Sequence, residues 1–410
     1  MSRSPRGQLE QRLLVLVTLA LVAFGLVMVY SATSASAALG HGDPMNYLKR
    51  QSLYALIGVG ALIAFSRFDN RRLPLLVPPL LLGSAALCLA VIAVAPEVNG
   101  ARRWLYAGGF SFQPSEVAKL AVLLFAATYL ARRGAPTSLA ELWKPLGMVA
   151  SGFCVLFMLQ PDLGTTISLM AMLAGVLVVA GVPLRTLGAA GAVALVLGIT
   201  AIWMEPYRKA RILSFLNPWA DAQGDGFQTV QAIIGIGSGG LTGQGLGESV
   251  QKINYLPEAH TDMILAIVGE ELGLIGTTFV IGAFALFAFA GFRVALAAKD
   301  PFGKLVAAGA TSLVCGQAAV NVAAVLGVAP LTGIPLPFVS YGGTSLIVLL
   351  SCVGILLNIA VDERAPARAA VPDRRRRDGG ARAARARDRE RVARPRRAGD
   401  VRRVAGSHRG

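Results

Sequence analysis

Leu13-Leu-Val-Leu-Val-Thr-Leu-Ala-Leu-Val-Ala-Phe-Gly-Leu-Val-Met-Val-Tyr30 holds 18 residues without a charge, and Arg3, Arg6 and Arg12 precede it. An α-helix rises about 1.5 Å per residue, so about 20 apolar residues cross a hydrocarbon core of about 30 Å. The basic flank and the alanine-rich residues after Ser31 also occur in cleaved secretory signals. The apolar part of such a signal is only about 7–15 residues long. The stretch therefore reads as an uncleaved first membrane span.

Outward from it, the same texture recurs to Ala360. Apolar segments fall at 13–32, 51–66, 74–95, 116–131, 146–159, 165–182, 186–204, 263–292, 304–328 and 343–361. The second and fifth are short and are expected to extend into their flanks; the eighth exceeds one crossing and predicts tilt or a bend. Across 410 residues 54% are hydrophobic and only 15% charged, where soluble domains carry about 25%. A large soluble protein would need polar faces at helical period on most segments, and those faces are missing. The fold class is an all-α polytopic membrane protein of about ten transmembrane helices.

The excess of Lys and Arg on one set of loops orients the chain. With the N-terminus cytoplasmic, the cytoplasmic connections hold 13 basic residues before the tail is counted, and the opposite loops hold eight, from Lys49 and Arg50 to Lys252. Both termini are then cytoplasmic, which ten spans satisfy. This layout gives a cytoplasmic N-terminus at 1–12, a membrane domain at 13–362 and a tail at 363–410. It also gives a large extracytoplasmic loop at 205–262, between helices 7 and 8. The tail carries +11 of the net +16. With few aromatic or large aliphatic residues, it is expected to be disordered and to lie against anionic headgroups rather than nucleic acid. Cys88, Cys154, Cys315 and Cys352 each sit in an apolar run without CxxC spacing, so they read as small hydrophobes. Three histidines leave little scope for a histidine metal centre.

The polar, Gly/Pro-rich segments 96–115, 160–165, 205–262 and 329–342 converge on the outer face. The most informative is Asn254-Tyr-Leu-Pro-Glu-Ala-His-Thr-Asp262, which hands Asp262 to the eighth span. A carboxylate beside Met263, Ile264 and Leu265 is partly desolvated and more basic than one in water. Thr261 and Asp262 are equally good helix-capping residues, and the residues alone leave both readings open. His260 reads as an interfacial hydrogen-bonding residue. Glu270 and Glu271 are separated by about 100° on one helix, so one is expected to point into the bundle and pair with a cation or backbone. In Gln113-Pro-Ser-Glu-Val-Ala-Lys119, Pro114 and Ser115 start a helix, and Glu116 and Lys119 share a face. They either satisfy each other or put Lys119 on an outer cavity, facing a carboxylate or a phosphate. The glycine run Gly235 to Gly247 lacks the Gly-Lys-Ser/Thr ending of a nucleotide loop, and re-entrant backbone packing is the favoured reading.

Asn99-Gly-Ala-Arg-Arg-Trp104, Phe112 to Lys119, Gln160-Pro-Asp-Leu-Gly-Thr165, Gly237-Ser-Gly-Gly240, Leu256 to Asp262, Glu270-Glu-Leu-Gly273 and Pro335 to Gly343 occur together in this order. In this set the chain resembles the SEDS family over residues from about 10 to 362. Asn217-Pro-Trp-Ala-Asp221, Gly226-Phe-Gln228 and Ala259 look closer to its division branch than to its elongation branch. The sporulation branch looks much the same.

The resemblance implies glycosyl transfer on the outer face, with lipid II joined into glycan strands and undecaprenyl diphosphate leaving. The resemblance maps the family's essential aspartate onto Asp262 as general base. Lys119 is then expected to meet the diphosphate, assisted by Arg102, Arg103, Arg208, Arg211 or Lys252. Glu116 would orient Lys119, and Asp162 with Ser340, Tyr341, Gly342 and Gly343 would shape the cavity rim. A divalent cation, Mg or Mn, is compatible with this chemistry without being demanded. Expected partners are a class B penicillin-binding protein that crosslinks the strands, divisome proteins and membrane lipids, at the septal plasma (inner) membrane. The rival readings are a lipid II flippase, for which Glu270 and Glu271 would lie at depth, and a scaffold that only recruits a partner.

Overall fold

The computed structural model describes residues 6–38, 44–98, 100–107, 110–253, 256 and 259–362. The arginine-rich tail and residues 1–5 lie outside these. Among the described residues ten helices are long and apolar enough to cross a membrane: Gln8–Ser34, Pro44–Arg67, Asn70–Val94, Pro114–Arg133, Leu139–Leu159, Leu163–Ala180, Leu184–Trp203, Ile264–Ala297, Pro301–Val325 and Gly343–Val361. The second and fifth reach into their flanks as expected. The bundle packs around its fourth, ninth and tenth spans, which are 72%, 67% and 83% buried, whereas the seventh is 6% buried. Large apolar side chains such as Leu184, Leu195 and Trp203 stand exposed on that seventh span, which suits a helix surrounded by lipid tails.

Local chemistry sets the helix ends. Pro114 occupies the first turn of the fourth span, and Gly134 closes it at φ +82°, a conformation that glycine adopts without a Cβ penalty. Asp162 caps the sixth span by accepting from the Thr165 amide at 3.0 Å, and Asp300 caps the ninth by accepting from Gly303. Two loops carry regular structure that the sequence reading did not assign. An antiparallel hairpin joins β1 (Leu105–Ala107) to β2 (Phe110–Phe112), with Tyr106 opposite Ser111. The long loop between the seventh and eighth spans folds into helices Pro206–Leu216 and Phe227–Gly239.

The eighth span bends, and the glycine run causes it. Gly273 has φ +64° and ψ −158°, which interrupts the helix. The freed backbone groups bond to the glycine run instead. The Leu274 and Ile275 amides donate to the Gly240 and Leu241 carbonyls, and the Gln244 and Gly245 amides donate to Glu270 and Glu271. A side chain does not fit at this crossing, since a Cβ on Gly239 would lie 1.9 Å from the Gly269 carbonyl oxygen. The run packs its backbone directly against the eighth span. Gly273→Ala is expected to lower the thermal midpoint of the detergent-solubilised protein, at a cost of about 1–3 kcal/mol. Its added Cβ would also sit 2.4 Å from the Gly243 nitrogen. Gly282→Ala on the same helix meets open space and serves as the neutral comparison.

Candidate active site

All four polar segments singled out in the sequence contribute to one cavity of about 450 Å³. Hydrogen bonds between loops build its walls. Arg103 donates to the carbonyls of Gln160, at 3.2 Å, and of Pro161, joining the segment 96–115 to the segment 160–165. Arg211 donates to the Leu331 carbonyl at 3.1 Å, and the Tyr341 amide donates to His260 at 2.9 Å. The helix Pro206–Leu216 and the segment before the tenth span are thereby tied to the rest.

Asp262 lies on this wall, partly exposed, and accepts from Thr261 Oγ1 at 3.2 Å. The N-cap of the eighth span falls on Met263, one residue beyond where a capping Asp262 would stand. The main chain is gripped instead: Asn321 Nδ2, from the ninth span, donates to the carbonyls of both Asp262 and Ile334 at 2.7 Å. This fixes the carboxylate's position without engaging the carboxylate through that amide.

Of the other expected site residues, Arg103, Glu116, Asp162, Arg211, His260 and Tyr341 line the cavity with Asp262. Asp162 combines its rim position with helix capping and accepts from Gln113 Nε2 at 3.2 Å. The His260 ring packs 4.9 Å from Tyr47 and 5.5 Å from Tyr341. Burial pushes the Tyr341 phenol above its ordinary value, helped by Tyr54 and opposed by Arg50. It stays neutral at any physiological pH.

Four expectations are corrected. Lys119 does not line the cavity: it is fully buried behind Glu116, which it meets at 2.8 Å, so the self-satisfied pair is what forms. Lys252 is also buried, held 2.9 Å from Glu271 and by the Gly247 carbonyl. Ser340 closes its own turn, accepting from the Leu336 amide at 2.8 Å. Arg102 points away toward the Ile92 carbonyl, in a separate depression beside Glu97. The side chain of Arg208 lies outside the described residues. Arg50 supplies a cavity cation that the motifs did not single out; in sequence it was one basic residue at the start of a span.

Glu270 and Glu271 are both fully occupied. Glu270 accepts from Ser249 Oγ and from the Val250 amide at 2.9 Å, and Glu271 accepts from Ser31 Oγ at 2.7 Å and from Lys252. One carboxylate was expected to pair with a cation or backbone; the bend lets both do so. Two buried acceptors on the cavity wall, Glu116 Oε2 and Gln317 Oε1, have no hydrogen bond. Among the described residues no group of three or more His, Cys, Asp and Glu side chains is placed to hold a metal ion.

Among the described residues, ten helices apolar enough to cross a membrane and a polar cavity lined by their connecting segments define a multi-pass membrane protein. A family profile described as "Cell cycle protein", covering FtsW, RodA and SpoVE, matches residues 11–365, and the chain belongs to that family. It is 41% identical to the probable peptidoglycan glycosyltransferase FtsW of Geobacter sulfurreducens, over 85% of this chain and 94% of the relative. It is 42% identical to the stage V sporulation protein E of Bacillus subtilis, over 85% and 96%. Among solved structures, it aligns with a chain of a peptidoglycan synthase complex that coordinates polymerization and crosslinking, at TM-score 0.71 and 33% identity, over 86% of this chain and 98% of that one. The rod shape determining protein RodA of Thermus thermophilus aligns at TM-score 0.63 and 31% identity, over 86% and 97%.

Proposed function

We propose that this protein is a peptidoglycan glycosyltransferase that polymerises lipid II on the extracytoplasmic face, with Asp262 as its general base. The observation that carries the proposal is the placement of Asp262 on the cavity wall with Arg50, Arg103 and Arg211. The acceptor 4-hydroxyl attacks C1 of the donor sugar and gives its proton to Asp262. The new C–O bond forms as the bond from C1 to the diphosphate oxygen breaks, and undecaprenyl diphosphate departs. An α-linked donor then yields a β-1,4 linkage by inversion, with no covalent enzyme intermediate.

General-base assistance contributes about 10²–10⁴ in rate. Arginines aimed at the departing diphosphate stabilise charge as it develops, and their forked donors suit phosphate oxygens. A divalent cation enters this scheme only with the diphosphate. The division role follows from the likeness to FtsW relatives, and a class B penicillin-binding protein is the partner that would crosslink the product.

Transport of lipid II is the weaker reading, because Glu270 and Glu271 are locked into loop and ion-pair contacts. The deciding experiment incubates labelled lipid II with the purified protein and its penicillin-binding partner. Long glycan strands are expected. Intact lipid II after incubation with well-folded protein, together with lipid II movement across vesicle membranes, would replace the transferase reading with transport.

A further inference from the structure

The hairpin at the cavity mouth has no part in the chemistry above, and its register gives it two distinct faces. Alternate residues of a strand point to the same side. Trp104 immediately precedes the first strand, and within the strand Tyr106 is paired with Ser111 across the hairpin. Trp104, Tyr106, Ser111 and Gln113 all line the cavity. The other face is apolar, with Phe110 packed 6.1 Å from Tyr54.

The hairpin is fastened at several points. The Ser111 amide donates to Tyr54 Oη at 3.4 Å, Thr344 Oγ1 donates to the Ser111 carbonyl at 3.2 Å, and the Gln113 amide donates to Thr344 Oγ1 at 3.1 Å. Tyr106 is nonetheless 54% exposed, a large aromatic held out on a rigid support. Among the described residues neither the Trp104 indole nor the Tyr106 hydroxyl has a hydrogen bond within the chain.

Resting on the transferase reading, we infer that Trp104 and Tyr106 form a stacking platform for the pyranose rings of an aminosugar strand, separate from the diphosphate-binding arginines. A pyranose presents a patch of C–H groups bordered by hydroxyls and amides. An aromatic face takes the C–H patch, while neighbouring polar groups and the ring's own N–H or O–H take the border. A lipid tail fits this place poorly, because the same wall carries Arg50, Glu116 and Asp262. Fixed aromatics lose little entropy on binding, so such a platform holds a strand between additions without contributing to proton transfer.

The test separates this platform from the reaction. The probe is a soluble β-1,4-linked N-acetylglucosamine tetramer, titrated against the full-length detergent-purified protein and followed by saturation-transfer NMR. Trp104→Ala combined with Tyr106→Ala is expected to weaken binding about tenfold and to shorten the glycan products. Tyr106→Phe retains the ring and should retain most of the affinity. Tyr106→Ala alone, at so exposed a position, keeps the test valid if the double variant fails to fold. Unchanged tetramer binding and product length in a folded Tyr106→Ala variant and in the double variant would overturn the platform and leave the transferase reading intact. If wild type makes no polymer, the transferase reading fails, and the tetramer titration still decides the platform.

Discussion

Asp262→Asn reduces lipid II polymerisation by about 10²–10⁴-fold, the contribution of a positioned general base, with little change in thermal stability. Asparagine keeps the volume of the side chain and an oxygen able to accept from Thr261. It cannot take a proton from the acceptor hydroxyl. Stability should hold because the eighth span is capped at Met263 rather than Asp262. The Asn321 clamp is also preserved, since it grips the main-chain carbonyl. Asp262→Ala is expected to lose activity to the same degree. The measurement is the initial rate of glycan formation beside the unfolding midpoint of each variant. A near-wild-type rate in Asp262→Asn would assign the proton to another group. A large fall in the midpoint would instead restore the structural reading that the sequence left open.

Lys252→Met has the opposite signature, with a large loss of stability. Lys252 and Glu271 are buried ion partners at 2.9 Å, with side-chain exposures of 3% and 0%. Removing one member of such a pair leaves a charge in a medium that solvates it poorly, which costs about 3–5 kcal/mol. The loss should appear as a lower thermal midpoint, and the damage should centre on the glycine run that Lys252 helps to hold through the Gly247 carbonyl. Lys252→Met combined with Glu271→Gln should recover much of the loss, because replacing a whole buried pair is often close to neutral. Glutamine also keeps an acceptor for Ser31 Oγ. If the double variant is no more stable than Lys252→Met, the coupling between the two residues is absent and Lys252 acts by another route.

These two predictions differ in how visible their residues were in the sequence. Asp262 stood out because a carboxylate at the edge of an apolar run is costly and local. Glu116 and Lys119 could be paired from their spacing, since residues three apart on a helix are neighbours. Their joint burial then decided that Glu116, rather than Lys119, faces the cavity. Lys252 had no such local signal. Its partner lies 19 residues away across a loop, and its third contact, Ser31, comes from the first span. Among loop cations the sequence offered no way to separate Lys252, which the fold buries, from Arg50, which it places on the cavity wall. The hairpin was also missed, because three-residue strands fall below the length at which alternation can be read.

By itself the sequence determined the class of protein, the number and approximate ends of the spans, and the four polar segments from which the cavity is built. Bilayer thickness imposes a length on each crossing, and the absence of water inside the hydrocarbon forces each crossing to satisfy its own backbone, so apolar runs alone are enough to read it. Which side chains face the cavity, which pair out of reach of substrate, and where the eighth span bends were decided only by the tertiary structure. These outcomes depend on contacts between residues far apart in the chain, whose energies turn on burial and on distances of a few ångströms that sequence spacing does not encode.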